Sequence, residues 1–195
     1  FLGHHHDNMA MAEKYYGVGK KYHDFLFFNT DGVNLSIITG NELHSNFSGF
    51  PSEFGHLSID YNGIQCDCGN RGCLEKYVSI PALLKDTPYS SWRELRAHRD
   101  EPSARAAEEQ LVRYMSHGIV SIVNAFDVEK VVLAGELAEQ ADDLIDRINA
   151  EIARRTIFTL GEAPVVAGRP FQPVQMGAMP AYTLIWNRDE EAVLP

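Results

Sequence analysis

The stretch Cys66-Asp-Cys68-Gly-Asn-Arg-Gly-Cys73, together with His56 ten residues upstream, contains every cysteine of this 195-residue chain. Three thiolates and one imidazole complete a tetrahedral zinc shell and leave no coordination position open for a reacting water. We therefore predict that His56, Cys66, Cys68 and Cys73 form a structural Zn site that clamps the surrounding loop. The alternative is that the thiols are free and serve as small buried side chains. A disulfide is a poorer explanation, because it would leave one of the three thiols over.

Two glycines lie between the second and third cysteines, at positions 69 and 72. Glycine adopts backbone conformations that other residues avoid, so these positions allow the tight turns that bring successive sulfurs to one metal. Metal held by reduced thiols suits a reducing compartment. The chain also has no apolar run of membrane-spanning length and no signal-like start, so we expect a cytoplasmic protein with no membrane partner.

The composition is acidic, with 27 Asp and Glu against 17 Lys and Arg and a formal net charge of −10. This balance repels phosphate backbones, and no basic cluster with interleaved aromatic residues offsets it. We therefore expect no direct contact between this chain and DNA. The chain does not begin with Met, which suggests a fragment of a longer protein. We interpret His4, His5 and His6 as native residues, with an expression tag as the alternative.

Hydrophobic patterns along the chain alternate between strand-like and helix-like, which predicts an α/β domain without repeats. Asp7 is the expected N-cap of the first helix, and Asn29 to Gly32 form the expected turn of a hairpin. A stripe of apolar residues with helical spacing follows Pro102 and predicts core or a dimer interface. The predicted helices span residues 7–16, 102–126, 137–152 and 179–186, and the predicted strands span residues 25–28, 33–38, 57–60, 131–135 and 165–167; the stripe comprises Leu111, Met115, Gly118, Ile119, Ile122, Val123 and Phe126.

Two carboxylates flank the predicted metal ligands, because Glu53 precedes His56 by three residues and Glu75 follows Cys73 by two. Closing the loop on a metal would bring them near each other. Carboxylates and imidazole around a polar hollow suit sugar hydroxyls, which need several convergent acceptors. Alternatives stay open for each residue: Glu75 as a helix cap, Glu53 as a surface residue and His56 as a metal ligand only.

Three segments together resemble the signature of the ROK family of sugar kinases and sugar-responsive repressors: Pro51-Ser-Glu-Phe-Gly-His56, Asp60-Tyr-Asn-Gly63, and Cys66-x-Cys-Gly-Asn-Arg-Gly-Cys-Leu-Glu75. The resemblance implies the C-terminal lobe of an actin-like ATPase, ribonuclease-H-like α/β fold with a zinc-binding loop, usually dimeric or tetrameric. It also implies sugar contacts from Glu53, His56 and Glu75. Less specific matches lie in residues 10–13, 131–135 and 177–178.

The chain departs from the kinase pattern at three places that serve ATP chemistry. Family kinases carry an Asn-Asp pair before the first helix, where this chain reads Gly3-His4-His5-His6-Asp7, so a kinase would have to use His5 or Asp7 as its base. The glycine-rich phosphate hairpin is replaced by Gly32-Val-Asn34-Leu-Ser36. Ala134-Gly135 stands where the family commonly has two glycines.

These departures, beside an intact metal and sugar signature, favour a binding domain over an enzyme. We interpret residues 1–195 as the C-terminal sugar-sensing and oligomerisation domain of a ROK-type transcriptional regulator. The N-terminal lobe and a DNA-binding winged helix would lie upstream, and the effector would be a sugar or phosphosugar. The alternatives are a divergent ATP-dependent sugar kinase and a zinc-stabilised dimerisation domain without a ligand.

Overall fold

The computed structural model describes residues 5–44, 52–139, 142–155 and 164–168, and these residues form one mixed five-stranded sheet with helices on both faces. The predicted α/β class is confirmed. The strands are β1 Phe25–Asn29, β2 Asn34–Thr39, β3 Glu42–Leu43, β4 Lys130–Ala134 and β5 Val165–Ala167, and the helices are α1 His5–Tyr16, α2 Glu75–Val78, α3 Ile80–Leu84, α4 Trp92–Ala97, α5 Pro102–Phe126 and α6 Asp142–Ala153.

The sheet has the order β3-β2-β1-β4-β5, with β1 at its centre. The predicted hairpin is confirmed, since β1 and β2 pair antiparallel with Asn29 opposite Asn34. On its other side β1 pairs parallel with β4, and β4 pairs parallel with β5. Parallel strands need a crossover between them, and α5 and α6 supply the two crossovers.

Strand β1 is buried along its whole length, which explains why its sequence is an apolar run rather than an alternating pattern. Its side chains still divide between the two faces of the sheet. Phe25 and Phe27 pack in the cluster that includes α1, whereas Leu26 and Phe28 pack in the larger cluster formed with α5 and α6. The sheet is therefore the middle of three layers.

The apolar stripe of α5 lies in the core as predicted, with one exception. Six of its seven residues are buried, and a Cβ on Gly118 would lie 2.6 Å from a methyl carbon of Leu74, so the missing side chain lets α5 approach the start of α2. Phe126 remains 39% exposed because it lies in the last turn, and its ring meets that of Phe54 edge to face at 6.0 Å.

Several predicted boundaries were wrong. Asp7 is not an N-cap, because α1 already begins at His5 and places Asp7 in its first turn. Residues 57–60 form no strand; Ser58 makes a single bridge to Cys73, after a short 3-10 helix at Phe54–His56. A 3-10 turn at Glu136–Ala138 comes before α6.

The predicted helix at residues 179–186 lies outside the described residues. Within the described ranges no helix is both long and apolar enough to cross a membrane.

Candidate functional site

The structure brings the predicted metal ligands together. The donor atoms of His56, Cys66, Cys68 and Cys73 all lie within 4.8 Å of one another. The Sγ atoms of Cys68 and Cys73 are 3.6 Å apart, as are His56 Nδ1 and Cys66 Sγ. Sulfur ligands around a tetrahedral ion at about 2.3 Å lie about 3.8 Å from each other. The cluster could therefore bind a metal ion with little rearrangement.

Backbone turns hold the cysteines in this arrangement. Cys66 N–H donates to the Asn70 carbonyl at 2.8 Å, which closes a tight loop that contains the first two cysteines. Gly69 and Gly72 have φ values of 93° and 67°, in the left-handed region that favours glycine. A Cβ on Gly72 would lie 1.8 Å from the Asp60 carbonyl oxygen. The two glycines thus have the turn role that the sequence indicates.

The thiols differ in how readily they ionise. Cys73 is fully buried, and burial, reinforced by its interactions with the Cys66 and Cys68 thiols, raises its pKa to about 12. The backbone hydrogen bond from Asn70 lowers the pKa of the exposed Cys68 thiol. Metal ligation requires thiolates, so binding here releases protons and weakens as the pH falls.

His56 contacts both carboxylate residues that the sequence singles out. Its backbone N–H donates to the Glu53 carbonyl at 3.0 Å within the 3-10 turn, and its Nδ1 lies 3.6 Å from Glu75 Oε1. Glu75 Oε1 also accepts a hydrogen bond from the Cys66 thiol at 3.2 Å. Glu75 begins α2 directly after the cysteine loop, so the loop conformation determines where this carboxylate lies. Glu53 is exposed.

A second polar cluster lies at the start of α1, centred on His6. Its Nδ1 is 3.1 Å from the Asn29 side-chain amide, and its Nε2 is 3.1 Å from that of Asn34. Burial, followed by the charge of His5, lowers the His6 pKa, so the ring is neutral near pH 7. A neutral imidazole has one donor and one acceptor, so one amide presents its NH2 group and the other its oxygen.

The carboxylate of Asp7, one of the two candidate bases, is already engaged. Asp7 Oδ1 accepts a hydrogen bond from Ser36 Oγ at 2.8 Å, and Ser36 is buried on β2. The other candidate, His5, is exposed, and its ring meets that of His6 edge to face at 5.7 Å. The helix start and the hairpin, both of which depart from the kinase pattern, therefore contact each other: His6 contacts Asn34, and Asp7 contacts Ser36.

Sequence reasoning did not identify the roles of His6 and Asn29. One signal was available for Asn29, because it is the single polar residue at the end of the apolar run of β1 and lies opposite Asn34. His6 had no comparable signal, since its neighbours in the chain are also histidine and aspartate.

Fold and site together define a class: a mixed α/β domain with a Cys/His cluster beside its sheet and a polar cluster at its first helix. A model of the ROK family matches residues 1–182, and the chain belongs to this family. The xylose repressor of Bacillus subtilis (strain 168) is 30% identical over 161 residues, which cover 79% of this chain and 42% of that protein. The transcriptional regulator NagC of Escherichia coli (strain K12) is 27% identical over 167 residues, covering 77% and 41%. The chain thus spans less than half the length of these curated relatives.

Solved structures of both family branches share this fold. The ROK hexokinase of Thermus thermophilus superposes with a TM-score of 0.80 at 27% identity, covering 95% of this chain and 66% of that chain. A ROK transcriptional regulator homologous to the E. coli MLC protein superposes with a TM-score of 0.79 at 24% identity, covering 90% and 49%. Because the two scores are nearly equal, the fold does not separate regulator from kinase.

Acid is expected to destabilise the fold through His6. Its folded-state pKa lies below the ordinary value of 6.5, so at pH values between the two pKa values the unfolded chain binds more protons and stability falls as the pH drops. We expect the free energy of unfolding, measured by urea denaturation, to decrease from about pH 7.5 to about pH 5.5. In His6→Gln this decrease should be smaller. His117, whose pKa is also lowered, contributes equally in both proteins; identical pH dependences would contradict the role of His6.

Proposed function

We propose that this chain is the sugar-sensing and oligomerising domain of a ROK transcriptional regulator and does not transfer phosphate. The observation that carries the proposal is the pair of side-chain contacts, His6 with Asn34 and Asp7 with Ser36, at the place where a kinase of the family would handle phosphate. Its similarity to the xylose repressor and to NagC supports the regulator branch.

Side chains fill the space above the hairpin turn. Phosphate-binding hairpins use glycine so that backbone N–H groups reach the anion. Here Asn34 folds back over Gly32, such that a Cβ on Gly32 would lie 2.2 Å from Asn34 Nδ2. The residue between them, Val33, is buried with a φ of 51°, which is strained for a β-branched side chain.

An acidic side chain also accepts a hydrogen bond from a backbone N–H group after β4. Asp31 Oδ1 accepts a hydrogen bond from the Glu136 N–H at 2.7 Å, next to the Ala134-Gly135 pair. This contact uses an amide that could otherwise face an anion, and the Asp31 carboxylate repels phosphate. Nucleotide binding is therefore opposed at both loops.

The residues expected to bind sugar and metal keep the family pattern, unlike the positions that would handle phosphate. We assign sugar-hydroxyl contacts to Glu53, His56 and Glu75, since carboxylates and imidazole accept hydrogen bonds from several hydroxyls at once. Zinc is the metal that best suits three thiolates and one imidazole, and it would clamp the loop from which Glu75 emerges. The relatives include a xylose repressor and an N-acetylglucosamine repressor, which supports a sugar or phosphosugar effector.

Regulation then proceeds by population shift. A sugar that binds one arrangement of a homodimer or tetramer more tightly than another changes operator affinity by its differential binding energy, typically about 1–3 kcal/mol. DNA contact belongs to a domain outside these residues, and the acidic chain itself contributes none. Reduced thiols at the metal are consistent with the cytoplasm.

Calorimetry with the full-length protein tests sugar binding. We expect a member of a panel of pentoses, hexoses, N-acetylhexosamines and their phosphates to bind, and Glu53→Gln and Glu75→Gln each to weaken that binding at least about tenfold, because each removes a charge-assisted hydrogen bond. Glu42→Gln is the matched control, since Glu42 is exposed on β3. Failure of every sugar to bind would favour the ligand-free dimerisation domain instead.

A coupled ADP-release assay tests the absence of phosphoryl transfer. Because the chain is similar to the T. thermophilus hexokinase, kinase activity is the main alternative to the proposed regulatory function. We expect no sugar-dependent ADP release from the full-length protein with any sugar that binds. Robust turnover that disappears in Asp7→Asn would overturn the regulator assignment and identify Asp7 as the base.

A further inference from the structure

A groove between α5 and α6 lies on the face of the sheet opposite α1, away from the polar cluster around His6. Its volume is about 590 Å³, within the range of small-molecule sites. Basic residues from both helices dominate the lining. The charged residues are Arg113, His117 and Glu109 from α5, and Arg147, Glu151, Arg154 and Arg155 from α6 and the turn after it.

The charge of this groove is opposite to that of the whole chain. Arg147 pairs with Glu108 at 3.2 Å, and the three other arginines, Arg113, Arg154 and Arg155, face the two glutamates Glu109 and Glu151, whereas the chain carries a net charge of −10. Glu151 pairs with both Arg154 and Arg155, at 2.6 and 3.0 Å, so one carboxylate is shared by two guanidinium groups. Arg113 has no carboxylate partner among the described residues, and its guanidinium lies 5.5 Å from the centre of the Tyr114 ring. The groove therefore has unneutralised positive charge.

The contact between Arg155 and His117 does not neutralise this excess. The guanidinium of Arg155 meets His117 Nε2 directly across the two helices. Burial first, and then the charges of Arg155 and Arg113, lower the His117 pKa, and Glu151 offsets this only in part. A cation beside an imidazole favours the neutral ring, so His117 does not balance the positive charge of Arg155. An anion in the groove would supply the missing charge.

We propose that the α5–α6 groove binds a small dianion of the phosphate-ester class, held by Arg113, His117 and Arg155. Guanidinium groups bind phosphate oxygens through two parallel hydrogen bonds, and this geometry gives arginine its preference for phosphate. The groove has the volume of a small-molecule site, and its basic residues come from two neighbouring helices, so a small anion could contact both. The site is separate from the sugar contacts assigned to Glu53 and Glu75.

Calorimetric titration of the full-length protein with inorganic phosphate and with glycerol 3-phosphate, at constant ionic strength, tests the site. We expect Arg113→Gln to weaken binding of both at least about tenfold, because it removes a charge-assisted contact. Glu151→Gln should have the opposite effect and tighten binding, since it releases two arginines from their competing carboxylate. Arg105→Gln, an exposed arginine of α5 outside the groove, should bind like the unmodified protein.

Proton NMR of the His117 ring measures the pKa of this side chain. If the groove had only a structural role, phosphate would not change that pKa. Bound phosphate should raise the His117 pKa, because a nearby anion favours the imidazolium. Glu75→Gln should leave phosphate binding unchanged, which separates this site from the proposed sugar site. The proposal is overturned if phosphate and glycerol 3-phosphate bind no better than chloride, if Arg113→Gln binds them normally, or if only an acidic peptide or a DNA duplex binds through Arg113.

Discussion

Serine in place of Cys68 is expected to lower the affinity of the protein for zinc by at least about a hundredfold. Loss of a residue that merely orients a ligand already costs about 10- to 100-fold in metal affinity, and Cys68 is one of the four residues placed to ligate the ion directly. At saturating metal, a hundredfold loss corresponds to about 2.7 kcal/mol of stability. Elemental analysis and urea denaturation of the purified proteins measure the two effects.

The exposure of Cys68 makes this experiment specific. Its side chain lies at the surface, so the substitution opens no cavity, whereas truncating the buried Cys73 would also damage packing. After removal of metal by a chelator, Cys68→Ser and the unmodified protein should therefore be equally stable. A difference of about 2.7 kcal/mol that persists without metal would contradict the metal-clamp interpretation. Sugar affinity should fall with metal content, because Glu75 follows the same loop.

Glu108→Gln is expected to destabilise the fold by about 3 kcal/mol, since it removes a buried negative charge that two arginines share. Glu108 is 3% exposed on α5 and pairs with Arg96 of α4 through one oxygen and with Arg147 of α6 at 3.2 Å through the other. Arg96 keeps a second contact, with Asp143 at 2.6 Å. That remaining pair keeps the loss near the lower end of the range for broken buried ion pairs. Urea denaturation monitored by tryptophan fluorescence measures it.

The next residue provides a matched control. Glu109 is exposed and has the same side chain on the same helix, so Glu109→Gln should change stability by no more than about 0.5 kcal/mol. A loss below about 1 kcal/mol for Glu108→Gln would mean that the junction of α4, α5 and α6 does not depend on the negative charge of Glu108, contrary to the network described above.

The local sequence pattern correctly predicted those elements whose residues by themselves indicate a strand or a turn. The apolar run at residues 25–28 and the turn after it became a hairpin because a buried strand and a tight turn are encoded locally. Residues 57–60 show where this fails. Leu57 and Ile59 alternate as in a strand, yet their partners are Leu74 and Gly72 of the cysteine loop, and the pairing ends there. The loop geometry, rather than the alternation, limited that element to a bridge.

The sequence alone brought the three thiols of the Cys/His cluster together, because three cysteines within eight residues remain close in almost any fold, whereas the fold places His56 beside them. The sequence also determined which positions depart from the kinase pattern. Only the tertiary structure decided what those departures do: His6 meets Asn34 across 28 residues, and Asp7 meets Ser36 across 29. The α5–α6 groove arises in the same way, since it joins Arg113 to Arg155. Such contacts depend on how helices pack against a sheet and against each other, which the spacing of residues along one element does not encode.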